Sequence, residues 1–256
     1  MVKYLLKKSY QLKDLKKINY HDLWNDNGVF TTMWIYGKPI KILFFKSHID
    51  NLIKSLKVYK IYNKDIKKKL YKLIDLNINK NYPYNHLLRI AFNKYKISIS
   101  IRERVNTSKN FNLKIINYKR LKPEYKNLKY KTILRYLSLM NVKKMDIALC
   151  VNKKILETGT SNLLFVSKNK IYTPVSKYYR GVNLRFYETK YKIIKKNILI
   201  NQLNNYDEII LVGSGKGVVS VNSVKGINWK RKKTKKYKLL LKTFQNEFKK
   251  RKYLYK

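Results

Sequence analysis

ETGTSNLLFVSKNKIYTP, residues 157–174, decides how the rest of the chain is read. Glu157 stands at the mouth of a Gly-Thr-Ser turn. NLLFV and KIYTP follow as short runs rich in apolar, β-branched and aromatic residues, parted by polar Lys168-Asn169, and so predict two strands. Upstream, IALCV and the hairpin ending in ILET predict two more, and Lys131 opens KTILRYL, a predicted helix over 131–141. Downstream, Gly181 starts a predicted helix over about 182–196, and GSGKG, residues 213–217, links the predicted strands EIILVG and GVVSV.

The composition is that of a folded protein, and the length permits one domain or two compact halves, of which two are expected. At 256 residues, 45% hydrophobic and 29% charged, the chain can bury a substantial core. No apolar run approaches the ~20 residues of a membrane helix, and the N-terminal MVKYLLKKSYQLKDLKK interrupts each short apolar run with lysine, unlike a secretory signal. The net charge is +46, from 60 Lys+Arg against 14 Asp+Glu. The excess is almost all lysine, spread along the chain with Ile, Asn and Tyr, and all four have A/T-rich codons. A base bias explains it as well as a binding surface does, and neither zinc-finger spacing nor an RNP signature marks a nucleic-acid partner. Cys150 is the single cysteine, so no intramolecular disulfide can form; within MDIALCV it reads as a buried structural thiol in a reducing cytoplasm. His21, His48 and His86 lack metal-ligand spacing, and no metal is expected.

In the first half, GVFTTMWIY (28–36), a Gly37-Lys38 turn and IKILFF predict a hairpin. A helix follows, with Ile49, Leu52, Ile53, Leu56 and Tyr59 at helical spacing and Ser47 as N-cap. A second helix is predicted over 66–76, then strands at HLLRIAF and YKISISIRER. NYKRLKPEYKNL (117–128) has no clear period and contains Pro123. These signals divide the chain into a small α+β domain (1–118), a linker (119–128) and a larger domain (129–256). The last domain ends in a helix with Leu240, Phe244 and Phe248 on one face, preceded by KRKKTKK, read as a solvated turn.

A lysine opening a helix, a carboxylate after a hairpin, a glycine-started helix and a serine-bearing glycine turn occur here in one order. In this the chain resembles the fold-type IV pyridoxal-phosphate enzymes, which include branched-chain aminotransferases, D-amino-acid aminotransferases and 4-amino-4-deoxychorismate lyases. The resemblance spans 28–229 and is densest over 131–226. It implies an α+β fold of two domains, a small N-terminal α/β sandwich and a larger C-terminal β-barrel-like domain with helices. It also implies Lys131 as the covalent attachment point of the cofactor, Glu157 as the carboxylate facing its pyridine nitrogen, and Tyr136 as a donor to its phenolic oxygen. Gly181, Val182 and Asn183, with Ser214 and Gly215, would hold the phosphate. Family members usually carry an arginine where Asn51 stands in HIDNL; Lys54, one turn along, offers a point charge without bidentate geometry. WNDNG stands where an acidic-Arg-Gly run is customary.

Such chemistry needs a lysine that can lose its proton, an anion that keeps the pyridine nitrogen protonated so that the ring accepts electrons, and backbone donors for a phosphate. GSGKG matches neither GxxxxGK[ST] nor GxGxxG, which argues against a nucleotide loop. Phe30-Thr31-Thr32 and GSGKGVVSV resemble the lyase branch, which forms p-aminobenzoate and pyruvate for folate synthesis. On that reading a Thr31 or Thr32 hydroxyl assists the departing group, and Arg89, Arg102 and Lys216 are candidates to meet substrate carboxylates. The family implies a homodimer acting on a small molecule, without a membrane or a specific nucleic acid as partner. Tyr136 points instead to a branched-chain or other class IV aminotransferase, and a cofactor-free basic scaffold or nucleic-acid-binding descendant is the alternative of another class.

Overall fold

A computed structural model describes residues 3–250, which divide into two compact units. The first comprises the chain up to Arg104 together with Tyr125–Lys131; the second comprises Val105–Glu124 and Thr132–Lys249.

The first unit contains β1 (Tyr4–Gln11), β2 (Lys17–Ile18), β3 (Gly28–Gly37), β4 (Lys41–Ile42), α1 (Phe45–Val58), α2 (Ile66–Asn77), β5 (Tyr84–Asn93) and β6 (Lys96–Glu103). Its strands form one antiparallel sheet in the order β2-β1-β6-β5-β3-β4. Alternation along the strands gives this sheet two chemically different faces. Val29, Met33 and Ile35 of β3, with Leu88, Ile90, Phe92, Ile97 and Ile99, pack against Ile49, Leu52 and Leu56 of α1 and Leu70, Leu73 and Ile74 of α2. The other face carries Phe30, Thr32 and Trp34, beside Arg89 and Arg102 of the neighbouring strands.

Two local expectations change, and one strand was not expected at all. α1 begins at Phe45, capped by Phe44 in the left-handed region (φ 55°), so Ser47 lies exposed inside the helix rather than at its N-cap. The apolar run IKILFF serves both elements, because only Lys41 and Ile42 pair with β3 before the helical spacing of Phe45, Ile49 and Leu52 takes over. β1, obscured in the sequence by its lysines, is an interior strand whose backbone pairs with β6.

The second unit contains β7 (Phe111–Asn117), α3 (Lys131–Ser138, its first residue grouped with the first unit), β8 (Met145–Val151), β9 (Lys154–Thr158), β10 (Asn162–Ser167), β11 (Lys170–Thr173), α4 (Val182–Glu188), β12 (Ile193–Lys195), β13 (Ile198–Leu199), a 3-10 turn (Ile200–Asn205), β14 (Glu208–Gly213), β15 (Gly217–Lys225) and α5 (Lys235–Phe248). Nine strands form a mixed sheet in the order β12-β11-β10-β14-β15-β7-β8-β9-β13. Its core includes Phe111, Phe165, Leu211, Val221 and Trp229. β7 is central here, so this unit begins at Val105, ahead of the expected boundary at 118. α4 stops at Glu188 instead of continuing to 196, because the β-branched Ile193 and Ile194 pair in parallel with β11. The fold class is α+β, as expected. Among the described residues no helix is long and apolar enough to cross a membrane.

Candidate active site

In the second unit Glu157 lies on β9 opposite Leu149 and is 5% exposed. Its Oε1 accepts hydrogen bonds from Nε and Nη2 of Arg120, both at 2.8 Å, and its Oε2 accepts the backbone N–H of Tyr179 at 3.3 Å. Arg120 is itself 2% exposed and its Nη2 also donates to the Pro123 carbonyl at 2.8 Å. A carboxylate this deep is tolerable because a guanidinium neutralises it and the hydrogen bonds occupy its oxygens. Arg120 was not anticipated, since it sits in the stretch read as a linker.

The turn after Glu157 is built by hydroxyls. Thr158 Oγ1 accepts the N–H groups of Thr160 (3.2 Å) and Ser161 (2.8 Å), and the Thr158 N–H donates to the Ser161 carbonyl. A Cβ on Gly159 would come within 2.9 Å of Ile147 and 3.2 Å of the fully buried Ile133 of α3, so the glycine lets that helix approach the turn. Ile133 is two residues beyond Lys131. Asn162 then fixes the next segment, donating from Nδ2 to the Tyr179 carbonyl at 2.6 Å and accepting the Gly181 N–H at 3.0 Å. α4 starts immediately afterwards with Val182 and Asn183 buried. Ser214, in the β14–β15 loop, donates to Asn183 Oδ1 at 3.4 Å, while Asn183 Nδ2 is buried without a hydrogen-bond partner among the described residues. The segments at 157–162, 181–183 and 213–217 are thus tied into one region of this unit.

The first unit gathers a second group. Residues 125–131, of which 125–128 were expected as linker and the rest as the start of the larger domain, lie along β3: Phe30 N–H donates to the Lys126 carbonyl, Leu128 N–H to Gly28, and Asn25 N–H to Leu128, each at 2.9 Å. Gly28 permits the approach, because a Cβ there would lie 2.0 Å from the Phe92 carbonyl oxygen and 2.7 Å from Leu128 Cδ1. Tyr130, the residue before Lys131, stacks on Trp24 (5.7 Å, 25°) and meets Phe30 edge-on at 5.6 Å. The guanidinium carbon of Arg89 lies 3.7 Å from the Trp24 ring centroid. Arg89 is 7% exposed, and its Nε and Nη2 have no hydrogen-bond partner among the described residues. Burial pushes its pKa down to about 10, opposed by Tyr20 and Asp22; Arg102, diagonal to it on β6, is also lowered by burial. Thr32 is the register partner of Arg89.

The remaining sequence-derived positions divide plainly. Thr31 is 4% exposed and its hydroxyl is 3.0 Å from Nδ1 of the buried His48 on α1, so it belongs to the helix-covered face of the sheet, not the face of Thr32. Lys131 is exposed and Tyr136 half-buried along α3. Asn51 is half-buried on α1, where its carbonyl accepts the Ser55 hydroxyl at 2.9 Å, and Lys54 is exposed. Lys216 is engaged by Asp146 at 2.7 Å. Cys150 is buried, with its thiol pushed up by desolvation.

The family model for class IV amino-transferases matches residues 28–224. Among solved structures, the chain is similar to a branched-chain aminotransferase from Thermoproteus uzoniensis crystallised with norvaline (14% identity, 96% of this chain and 97% of that one covered, TM-score 0.77). It is also similar to the Escherichia coli branched-chain aminotransferase (16%, 94% and 93%, TM-score 0.73) and to a candidate 4-amino-4-deoxychorismate lyase from Legionella pneumophila (17%, 86% and 91%, TM-score 0.70). No curated protein matches the chain.

Proposed function

The chain belongs to the amino-transferase class IV family of pyridoxal-phosphate enzymes, and from that premise we propose that it is a 4-amino-4-deoxychorismate lyase, releasing p-aminobenzoate and pyruvate. The observation that carries the choice is the buried guanidinium of Arg89, whose Nε and Nη2 have no hydrogen-bond partner among the described residues, on the sheet face it shares with Thr32 and Arg102. The substrate carries two carboxylates, and a buried guanidinium with two such nitrogens favours a ligand that supplies an anion. A branched-chain amino acid supplies one carboxylate, whereas this face presents two arginines, Arg89 and Arg102.

The cofactor fits the residues of the second unit. Glu157 is a fixed, charge-balanced carboxylate suited to a protonated pyridine nitrogen. The orphaned Nδ2 of Asn183 beside the Ser214 hydroxyl suits a phosphate oxygen, with Gly181, Val182 and Gly215 supplying backbone at the same turns. Pyridoxal phosphate supplies, when bound, an electron sink conjugated to the amino-bearing carbon of the substrate. Lys131, its proposed attachment point, would take the proton from that carbon. Thr32 donates to the enolpyruvyl oxygen as its carbon–oxygen bond breaks and the bonding pair leaves with oxygen. Loss of that proton and that group makes the ring aromatic, and the released enol tautomerises to pyruvate. Arg89 holds a substrate carboxylate throughout. Thr31 supports the sheet through His48 and takes no part. The same reading makes the working enzyme a cytoplasmic homodimer.

A second reading, a branched-chain or related aminotransferase, is favoured by Tyr136 five residues after Lys131 and by the similarity to branched-chain aminotransferases. Incubation with 4-amino-4-deoxychorismate and, separately, with branched-chain amino acids plus 2-oxoglutarate tests the choice. Formation of p-aminobenzoate with equimolar pyruvate supports the lyase; glutamate formation without either product overturns it.

A further inference from the structure

Asp146, the second residue of β8, is fully buried and receives more hydrogen bonds than a strand carboxylate needs to survive there. Its Oδ1 accepts the Ile147 N–H at 2.8 Å. Its Oδ2 accepts Lys216 Nζ at 2.7 Å, Thr160 Oγ1 at 2.5 Å and Thr158 Oγ1 at 3.1 Å. The Lys216 side chain is only 7% exposed; its Nζ also donates to Thr160 Oγ1 at 3.1 Å and lies 5.0 Å from the Phe111 ring centroid. In a chain whose lysines are mostly solvated, this one is folded inward.

The position of that lysine matters more than its charge. Lys216 belongs to the Ser214-Gly215-Lys216 loop, bracketed by the paired Gly213 and Gly217, with Gly217 at φ +74°. A loop with glycines at 213, 215 and 217 has little intrinsic stiffness, and Lys216 is its one long side chain. Thr158 and Thr160 belong to the turn that directly follows Glu157. One carboxylate therefore clamps two segments, one adjoining Glu157 and one bearing Ser214. We propose that Lys216 is a positioning residue: through its ion pair with Asp146 it holds the 213–217 loop where Ser214 and its neighbouring backbone meet the cofactor phosphate. This rests on the reading of that loop as a phosphate site, and it assigns Lys216 to the loop's anchorage instead of to a substrate carboxylate.

The test compares pyridoxal phosphate with pyridoxal, which lacks the phosphate, by titrating the cofactor-free full-length protein and following absorbance. Measured proteins are the wild type, Lys216→Met, and Lys216→Met combined with Asp146→Asn; the double variant avoids leaving an unpaired buried charge. Lys216→Met is expected to weaken pyridoxal phosphate by about tenfold or more while changing pyridoxal by less than about threefold, and the double variant to show the same loss of selectivity. Equal weakening of both ligands, or no change in either, overturns the proposal. A wild-type protein that binds the two ligands equally overturns the phosphate-site reading itself, an outcome separate from failure of the anchor.

Discussion

Replacing Arg120 by Met should be the most damaging single change to the second unit, for reasons readable from its surroundings. The guanidinium makes two 2.8 Å bonds to Glu157 Oε1 and a third to the Pro123 carbonyl, with 2% and 6% of the two side chains exposed. Water therefore cannot replace what the substitution removes. Removing one partner of a buried ion pair costs about 3–5 kcal/mol, of order one third of a stability in the usual range of about 5–15 kcal/mol. Changing Glu157 to Gln as well removes the stranded charge, so the double variant should lie within about 2 kcal/mol of the wild type. Urea unfolding of the cofactor-free protein, comparing midpoints at unchanged m-value, measures all three differences. A loss below about 1 kcal/mol for Arg120→Met, or a double variant no more stable than the single one, would refute the claim that this pair is buried and mutually compensating.

Three further outcomes follow from other parts of the molecule. Burial raises the Cys150 thiol above its ordinary range, which lowers its thiolate fraction at any given pH, so Ellman's reagent at pH 8 should find no reactive thiol in the native protein and one per chain after guanidinium is added. Glu208, 1% exposed, accepts the N–H groups of Lys236 and Tyr237 at 2.8 Å each and so caps α5 from a neighbouring strand. Glu208→Ala should cost about 2–3 kcal/mol in thermal or urea unfolding, and an unchanged midpoint would remove that role. Gly28→Ala places a methyl 2.0 Å from the Phe92 carbonyl oxygen and should destabilise the first unit by about 3 kcal/mol or more; a stability equal to wild type would show that the Phe92 carbonyl of β5 does not lie this close to Gly28.

Strands with strong apolar patterns, β3, β10, β11, β14 and β15, were legible because their burial is written in the side chains. Elements fixed by backbone pairing were not. β1 carries Lys7 and Lys8 in an interior strand, and residues 126–128 dock by main-chain hydrogen bonds that leave no mark on residue type. Glu157 and the turns at 181–183 and 213–217 were singled out by the resemblance of their order to a family pattern. Their supports could not: Arg120 lies 37 positions from Glu157, and Asp146 and Asn162 look like ordinary strand residues until the turn folds over them. One signal was available. Where lysine is the default cation, an arginine is often a choice for planar or buried geometry; Arg89, Arg102, Arg104 and Arg120 are all half-buried or deeper, while Arg135 and Arg180 are exposed.

The central claim is that Lys131 carries pyridoxal phosphate. Protein reconstituted with the cofactor, reduced with sodium borohydride, digested and mapped by mass spectrometry should show the phosphopyridoxyl mass on Lys131 alone. Label on a different lysine, or no label from a protein that is folded and saturated with cofactor, would contradict the account.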